Sequence, residues 1–196
     1  GRVDKAAAWA LLARIKLNEK VYLHLDNDRT EAMDSAVLCS QKVIDAGYQL
    51  HSNYRELFMA DNEKRTNEMI WAINCDGLKT QAYGNTTFFV HCAAGDDHNE
   101  YGVGGGWYGY RSTKGLADRF TDLSGNTDKR AMFTTSSFGT SPSQIAISDI
   151  GNFSNGLHVN KYRNIRSDGR PCSDPERNFS DVDFPVFRLA EMYLIY

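Results

Sequence analysis

Lys5-Ala-Ala-Ala-Trp-Ala-Leu-Leu-Ala-Arg-Ile-Lys-Leu-Asn18 decides the fold class. Asp4 stands just before it as a side-chain cap, so a helix is expected from about Lys5 to about Leu23. Its apolar residues, Ala7, Ala8, Leu11, Leu12, Ile15, Val21 and Tyr22, cover more than one face. The opening Ala6-Ala7-Ala8-Trp9-Ala10 lets another helix pack closely against it. A polar turn at Asp26-Asn27-Asp28 follows, and Asp28 with Glu31 makes an acidic variant of the capping box. A second helix then runs to Ala46, with Ala32, Met33, Ala36, Val37, Val43 and Ile44 at helical spacing and Gly47 as its stop. Two helices with a short polar join predict an antiparallel hairpin.

The hairpin has the size of a tetratricopeptide unit, and Trp9, Leu12 and Ala13 sit at the spacing such repeats use, although Lys16 stands where an aromatic is usual. One hairpin cannot bury both its faces. A C-terminal helix started by Pro185 and carrying Phe187, Leu189, Met192 and Tyr193 is one candidate partner. Between them, Tyr48–Phe58 reads as an extended piece and a helical turn, and Met69–Ile73 and Thr87–Val90 as short buried strands. Thr113 can cap a helix, Lys114–Phe120, with Leu116, Ala117 and Phe120 facing inward. Residues 121–183 are rich in Ser, Thr, Asn, Asp and Gly, with short strands expected at Ala131–Thr135 and His158–Tyr162. The fold class expected is mainly α: tetratricopeptide-like helical hairpins with a loop-rich insert carrying a few short strands. Residues 1–50 form the hairpin, 51–183 the ligand-facing insert and 184–196 the start of a C-terminal helical part, all within one domain.

A chain of 196 residues with 41% hydrophobic content can fill a core and is not a disordered tail. The net charge of -3 is scattered, with no basic stripe to neutralise phosphates, so nucleic acid is not an expected partner. The apolar run Ala6–Ala13 is far short of a membrane span. A start at Gly1-Arg-Val, and an end within an apolar helix at Tyr-Leu-Ile-Tyr196, predict a piece of something longer. Cys39, Cys75, Cys92 and Cys172 lack CxxC spacing and read as buried thiols, with two disulfides the alternative in an oxidising compartment.

Asn99-Glu-Tyr-Gly-Val-Gly-Gly-Gly-Trp-Tyr-Gly-Tyr-Arg-Ser-Thr113 follows the polar run Asp96-Asp97-His98. Its five glycines resist helix and leave flat aromatic faces clear of neighbouring side chains. Such faces, ringed by hydrogen-bonding groups, suit a sugar ring, whose C–H face stacks while its hydroxyls bond to the rim. The candidate glycan contacts are therefore Tyr101, Trp107, Tyr108, Tyr110, Asp96, Asp97, Asn99 and Glu100. Trp107 has a second reading, as a buried anchor for the loop; the tyrosines are expected to reach solvent.

Catalysis is not expected. Glycoside hydrolysis needs two carboxylates with separated pKa values, and adjacent acids in a glycine-rich loop do not establish such a pair. His24, His51, His91, His98 and His158 are dispersed, without HExxH or a serine motif. Counted from Asp26 as a calcium loop, position six is Glu31 and position twelve Val37, so no metal is assigned. No cofactor fingerprint occurs; Gly104-Gly105-Gly106 lacks the lysine and strand context of a phosphate loop.

Four segments together resemble the SusD/RagB family of surface glycan-binding lipoproteins: Lys5–Asn18 as quoted; Ala36-Val…Val43-Ile-Asp-Ala-Gly-Tyr-Gln-Leu50 with Tyr54…Leu57-Phe58; Gly106-Trp-Tyr-Gly-Tyr-Arg-Ser-Thr113 with Leu116, Phe120 and Asp128-Lys-Arg130; and Phe184-Pro-Val-Phe-Arg-Leu-Ala-Glu-Met-Tyr-Leu194. The resemblance implies a helical scaffold with a loop-rich face holding an oligosaccharide such as starch or another polysaccharide. It also implies lipid anchoring at the outer-membrane surface of a Bacteroidetes-type bacterium, beside a SusC-like TonB-dependent transporter, and no enzymatic activity. The family's signal peptide, lipidated cysteine and first helices, which supply part of the glycan surface, have no counterpart in these residues. The Trp107 motif recurs in members with different sugar preferences, which favours a structural role for Trp107 and leaves the tyrosines and acids as the variable contacts. The rival reading is a protein-interaction scaffold of the uptake complex without a glycan site of its own.

Overall fold

Asp4 accepts the Ala7 N–H at 2.9 Å, so the first helix begins where the capping argument puts it. The computed structural model describes residues 3–135, 140–153 and 155–196. Along them run α1 (Lys5–Leu17), α2 (Glu19–Tyr22), α3 (Thr30–Ile44), α4 (Asn85–Ala93), α5 (His98–Tyr101), α6 (Lys114–Ala117) and α7 (Leu189–Ile195). The strands are short: β1 (Met69–Ile73), β2 (Arg111–Ser112), β3 (Leu157–His158) and β4 (Phe184–Arg188). The chain divides into two compact units, one of Gly1–Ser52, Arg65–Ile73 and Pro185–Tyr196, the other of Asn53–Lys64 and Asn74–Phe184.

In the first unit, Ala6, Ala7, Ala10 and Ala13 of α1 are buried with Cys39 and Val43 of α3, and with Ile70, Phe187 and Met192. Small residues let α1 and α3 approach closely, as the alanine-rich opening predicts. The expected single helix to Leu23 breaks at Asn18, whose side-chain amide donates to the Arg14 carbonyl at 2.8 Å instead of pointing to solvent. Nor does the Asp28/Glu31 capping box form. Arg29 holds the cap position of α3, one residue after Asp28, and its guanidinium pairs with Glu19 at 3.1 Å. Gly47 does take the left-handed conformation, at φ 91.

The C-terminal helix packs on the hairpin as expected but begins later than Pro185. Pro185 lies in β4, beside β1 in a two-stranded sheet, and the helix begins only at Leu189. In a sheet that small each strand has a free edge, where a residue without an N–H is tolerated. α7 then packs on α1 and α3, and Arg14 grips Glu191 through Nε at 2.7 Å and Nη2 at 2.6 Å, its guanidinium 4.2 Å above the Phe187 ring.

The second unit has several small cores instead of one. Ala117, Leu123, Ala131, Phe133, Ile145 and Leu157 form one, and Val90, Ala93, Ala94, Tyr101 and Val103 another. The turn expected near Phe58 is a 3-10 helix, Tyr54–Phe58. Thr87–Val90 is part of α4 and not a strand. Thr86, Thr87, Val90 and His91 share its buried side, and the Thr86 hydroxyl is held by the Val182 carbonyl. The expected helix Lys114–Phe120 stops at Ala117, with Leu116 exposed. β2 pairs antiparallel with β3, Arg111 opposite His158, and Phe133 bridges to Val159. All four cysteines are buried free thiols.

Buried Asp61 fastens one loop of this unit. Burial opposes its charge, but the Ser167 N–H (2.7 Å) and hydroxyl (2.8 Å), with Lys64, outweigh it and hold the carboxyl below its ordinary range. A group with a depressed folded-state pKa stabilises above the unfolded value, and the contribution is lost as pH falls through the folded one. Asp61→Asn should therefore cost about 1–3 kcal/mol at about pH 7, and the gap should shrink as pH falls below the ordinary carboxylate range. Urea melts across that fall in pH check this; an unchanged gap would refute it.

Candidate functional site

A helix leaves its last carbonyls without intrahelical partners, and at α4 the glycine-rich loop supplies them. Trp107 N–H donates to the His91 carbonyl at 2.8 Å, Tyr110 N–H to Cys92 at 3.0 Å and Tyr108 N–H to Ala94 at 3.1 Å. Arg111 Nη1 adds a bond to Ala93 at 2.9 Å. Main chain must lie against main chain for this. A Cβ on Gly106 would stand 2.4 Å from the Gly95 oxygen, and one on Gly95 would stand 2.5 Å from the Tyr108 ring. The loop then reverses through Tyr108 and Gly109, at φ 60 and 96.

With its amides facing α4, the loop presents its side chains outward. Trp107, Tyr108 and Tyr110 join Phe88 of α4 and Phe153 around a groove of about 390 Å³. The rings keep open faces: Trp107 is 38% exposed, Tyr110 45%, Phe88 49% and Phe153 68%. Trp107 stacks on His91 beneath it, centroids 4.5 Å apart, and Tyr83 stands 5.9 Å to its side. Trp107 is thus anchored by its stack yet open to solvent, so it is not the buried anchor of its second reading. The Tyr108 hydroxyl donates to Asp96 at 2.6 Å, and this bond to the carboxylate raises the phenol's pKa.

Tyr101 does not belong with these rings. It is 0% exposed, in the core with Val90 and Val103, its hydroxyl 3.1 Å from the Thr134 hydroxyl. Burial drives its pKa upward. The expectation that it reaches solvent is wrong because α5 turns it inward before Gly102 reverses the chain at φ 73. Asp97 also turns in: it accepts the Gly95 N–H at 2.8 Å and meets His158 Nδ1 at 2.8 Å. Burial, then the Arg111 charge, lowers the His158 pKa despite that pairing. Asn99 and Glu100 are exposed on α5, Asn99 accepting from Arg177 at 3.3 Å, and neither lines the groove.

A second hollow of about 340 Å³ is polar, with Glu63, Asp76, Arg166, Asp181 and Asp183 in its wall. Asp183 is raised in pKa by burial, as an acid catalyst would be. Its oxygens, however, accept from Cys75 N–H and Asn74, and those of Asp181 from Gly77 N–H and the Ser173 N–H and hydroxyl. These carboxylates close loops. The aromatic groove, with open faces and a polar edge, is the better ligand surface.

Against curated sequences, the chain is 33% identical over 236 aligned residues to the starch-binding protein SusD of Bacteroides thetaiotaomicron. The match takes in 99% of this chain. It takes in 41% of SusD. The chain is SusD-like.

Among solved structures, a SusD superfamily protein from Parabacteroides distasonis matches with a TM-score of 0.63. It covers 100% of the SusD-like chain and 39% of its own length, at 20% identity, so the likeness concerns the fold alone. No family model matches the chain. Residues added by the structure, Phe88, Phe153 and Tyr83, lie outside the glycine-rich motif. Phe88 was hidden by the strand reading of Thr87–Val90, and Phe153 by its place in a polar loop, where a lone aromatic carries no pattern.

Proposed function

We propose that the aromatic groove is the glycan-contacting face of a cell-surface binding protein that holds saccharide without cleaving it. Trp107, Tyr110, Phe88 and Phe153 offer faces for pyranose rings, and Asp96 with the Tyr108 hydroxyl reads hydroxyls at the edge. Tyr83 extends the stacking surface. Asn99 and Glu100 are outlying contacts for a longer chain of sugars. The carrying observation is the cluster of open rings around one groove; the starch-binding name of the SusD relative agrees with it. In this reading α1 and α3 form a tetratricopeptide-like scaffold, and the whole protein sits lipid-anchored at the outer membrane and passes glycan to a SusC-like TonB-dependent transporter. Neither cofactor nor metal takes part.

Calorimetry with malto-oligosaccharides and a panel of other glycans tests this, beside an assay for reducing sugar. Binding without turnover is expected, and Trp107→Ala should weaken it by about 1–3 kcal/mol if sugar stacking resembles aromatic base stacking. Release of reducing ends, or wild-type affinity in Trp107→Ala, would defeat the proposal.

A second reading, a scaffold component without its own glycan site, draws on one observation. Leu11 and Ile15, four apart on α1, are exposed apolar residues on one helix face. Capture of purified transporter by a protein that binds no glycan would favour it.

A further inference from the structure

His91 lies beneath the groove with both ring nitrogens on carbonyl oxygens. Nδ1 is 2.7 Å from the Gly105 oxygen and Nε2 is 3.0 Å from the Asn178 oxygen. A carbonyl oxygen can only accept, and a neutral imidazole has one N–H to give. Whichever tautomer is chosen, a neutral ring leaves one carbonyl facing a nitrogen lone pair at contact distance. Only the imidazolium donates to both. The same ring stacks on Trp107 with 21° between planes, where a cation meets the negative face of the indole. The His91 carbonyl also holds the Trp107 N–H.

We infer that His91 is a positioning residue acting as a cation, whose second proton fastens Gly105 and Asn178 beneath Trp107 and so makes the groove's hold on glycan stronger as pH falls. The affinity half of this rests on the function proposed above; the structural half does not. Two influences oppose the charge. Burial of the ring is the largest influence and His98 on α5 adds to it; the two carbonyls offset only part of this, so the pKa stays below the ordinary histidine value and the second proton arrives only as pH falls. The other ionisable groups on the elements packed around it are Cys92 on α4, Asp96 and Asp97 before α5, Glu100 and Tyr101 on α5, Tyr108, Tyr110 and Arg111 on the glycine-rich loop, and Asp174, Glu176 and Arg177 before Asn178. Among the described residues, none of these adds a charge that bears on the ring. The proton comes from solvent, and protonation changes no covalent framework.

Nitrogen-edited NMR of the His91 side chain in the whole chain, from about pH 8 to about pH 5, reads the ring directly. Protonation of both nitrogens is expected within that range, with tryptophan fluorescence changing along the same curve. His91→Phe keeps a flat ring under Trp107 but gives no proton, so its fluorescence curve should be flat. Glycan affinity should strengthen about tenfold over the range in the wild type and not in His91→Phe, as follows when binding raises the ring's pKa by about one. A ring with a single protonated nitrogen down to about pH 5 overturns the inference, as does a fluorescence curve that survives in His91→Phe. Should His91→Phe not fold, the wild-type nitrogen shifts still decide. A ring that titrates as described in a protein that binds no glycan at any pH supports the structural half, and removes the proposed function and the affinity half with it.

Discussion

Tyr101→Ala should lower stability by about 3–5 kcal/mol, the range for deleting a large buried ring. The ring has no exposed surface and packs with Val90, Ala93 and Val103, so its removal leaves a cavity between α4 and the loop after α5. Asn164 N–H bonds to the Tyr101 carbonyl at 2.7 Å, which holds the backbone in place and limits how far the site can collapse. Tyr101→Phe keeps the packing and loses only the bond with Thr134, a change of about 1 kcal/mol. Chemical denaturation of both variants measures the two losses. Glycan affinity of Tyr101→Phe, taken well below its transition, should match the wild type. Tyr101→Ala with an unmoved midpoint and lost affinity would mean that the ring contacts ligand after all.

Gly106→Ala should cost about 2–3 kcal/mol, towards the upper end for overpacking, because what it strikes is backbone. Its Cβ would meet the Gly95 oxygen, the Gly95 Cα and the Ala94 carbonyl carbon at 2.4, 2.6 and 2.7 Å. None of these is the far end of a flexible side chain that can swing away. The neighbouring Gly105→Ala is the control: its Cβ would have nothing within 4 Å, so a near-neutral effect is expected. Thermal or urea melts of the pair separate close approach from a general intolerance of substitution. Equal losses at both positions would mean that the loop does not lie against α4 as described.

How much of this was legible in the sequence depends on whether local chemistry or distant packing decides a residue's state. The start of α1, the left-handed turn at Gly47 three residues past α3 and the strand at Met69–Ile73 follow from caps, helical spacing and an apolar run, all local signals. Thr87–Val90 has the composition of a strand, yet contacts to Val182 and Ser180, far along the chain, favour helix. Pro185 suits a helix start and a free strand edge equally; the pairing partner β1, far away in sequence, decides. The candidate site shows the same division. Aromatic enrichment between Asn99 and Thr113 marked a loop whose Trp107, Tyr108 and Tyr110 line the groove. Which rings face outward depends on reversals at Gly102, Tyr108 and Gly109, and glycine content alone does not fix their sense.

The way α4 is closed off bears on how such a loop changes over generations. Its helix end is met by amide groups that every residue except proline possesses, so the architecture does not ask for a tryptophan or a tyrosine at 107 and 110. For the capping alone those two positions can be relettered while the same carbonyls stay satisfied, although a change at 107 also gives up the stack on His91. Rings can thus be exchanged on an old frame, with the glycines and Arg111, whose guanidinium holds the Ala93 carbonyl, kept to their posts.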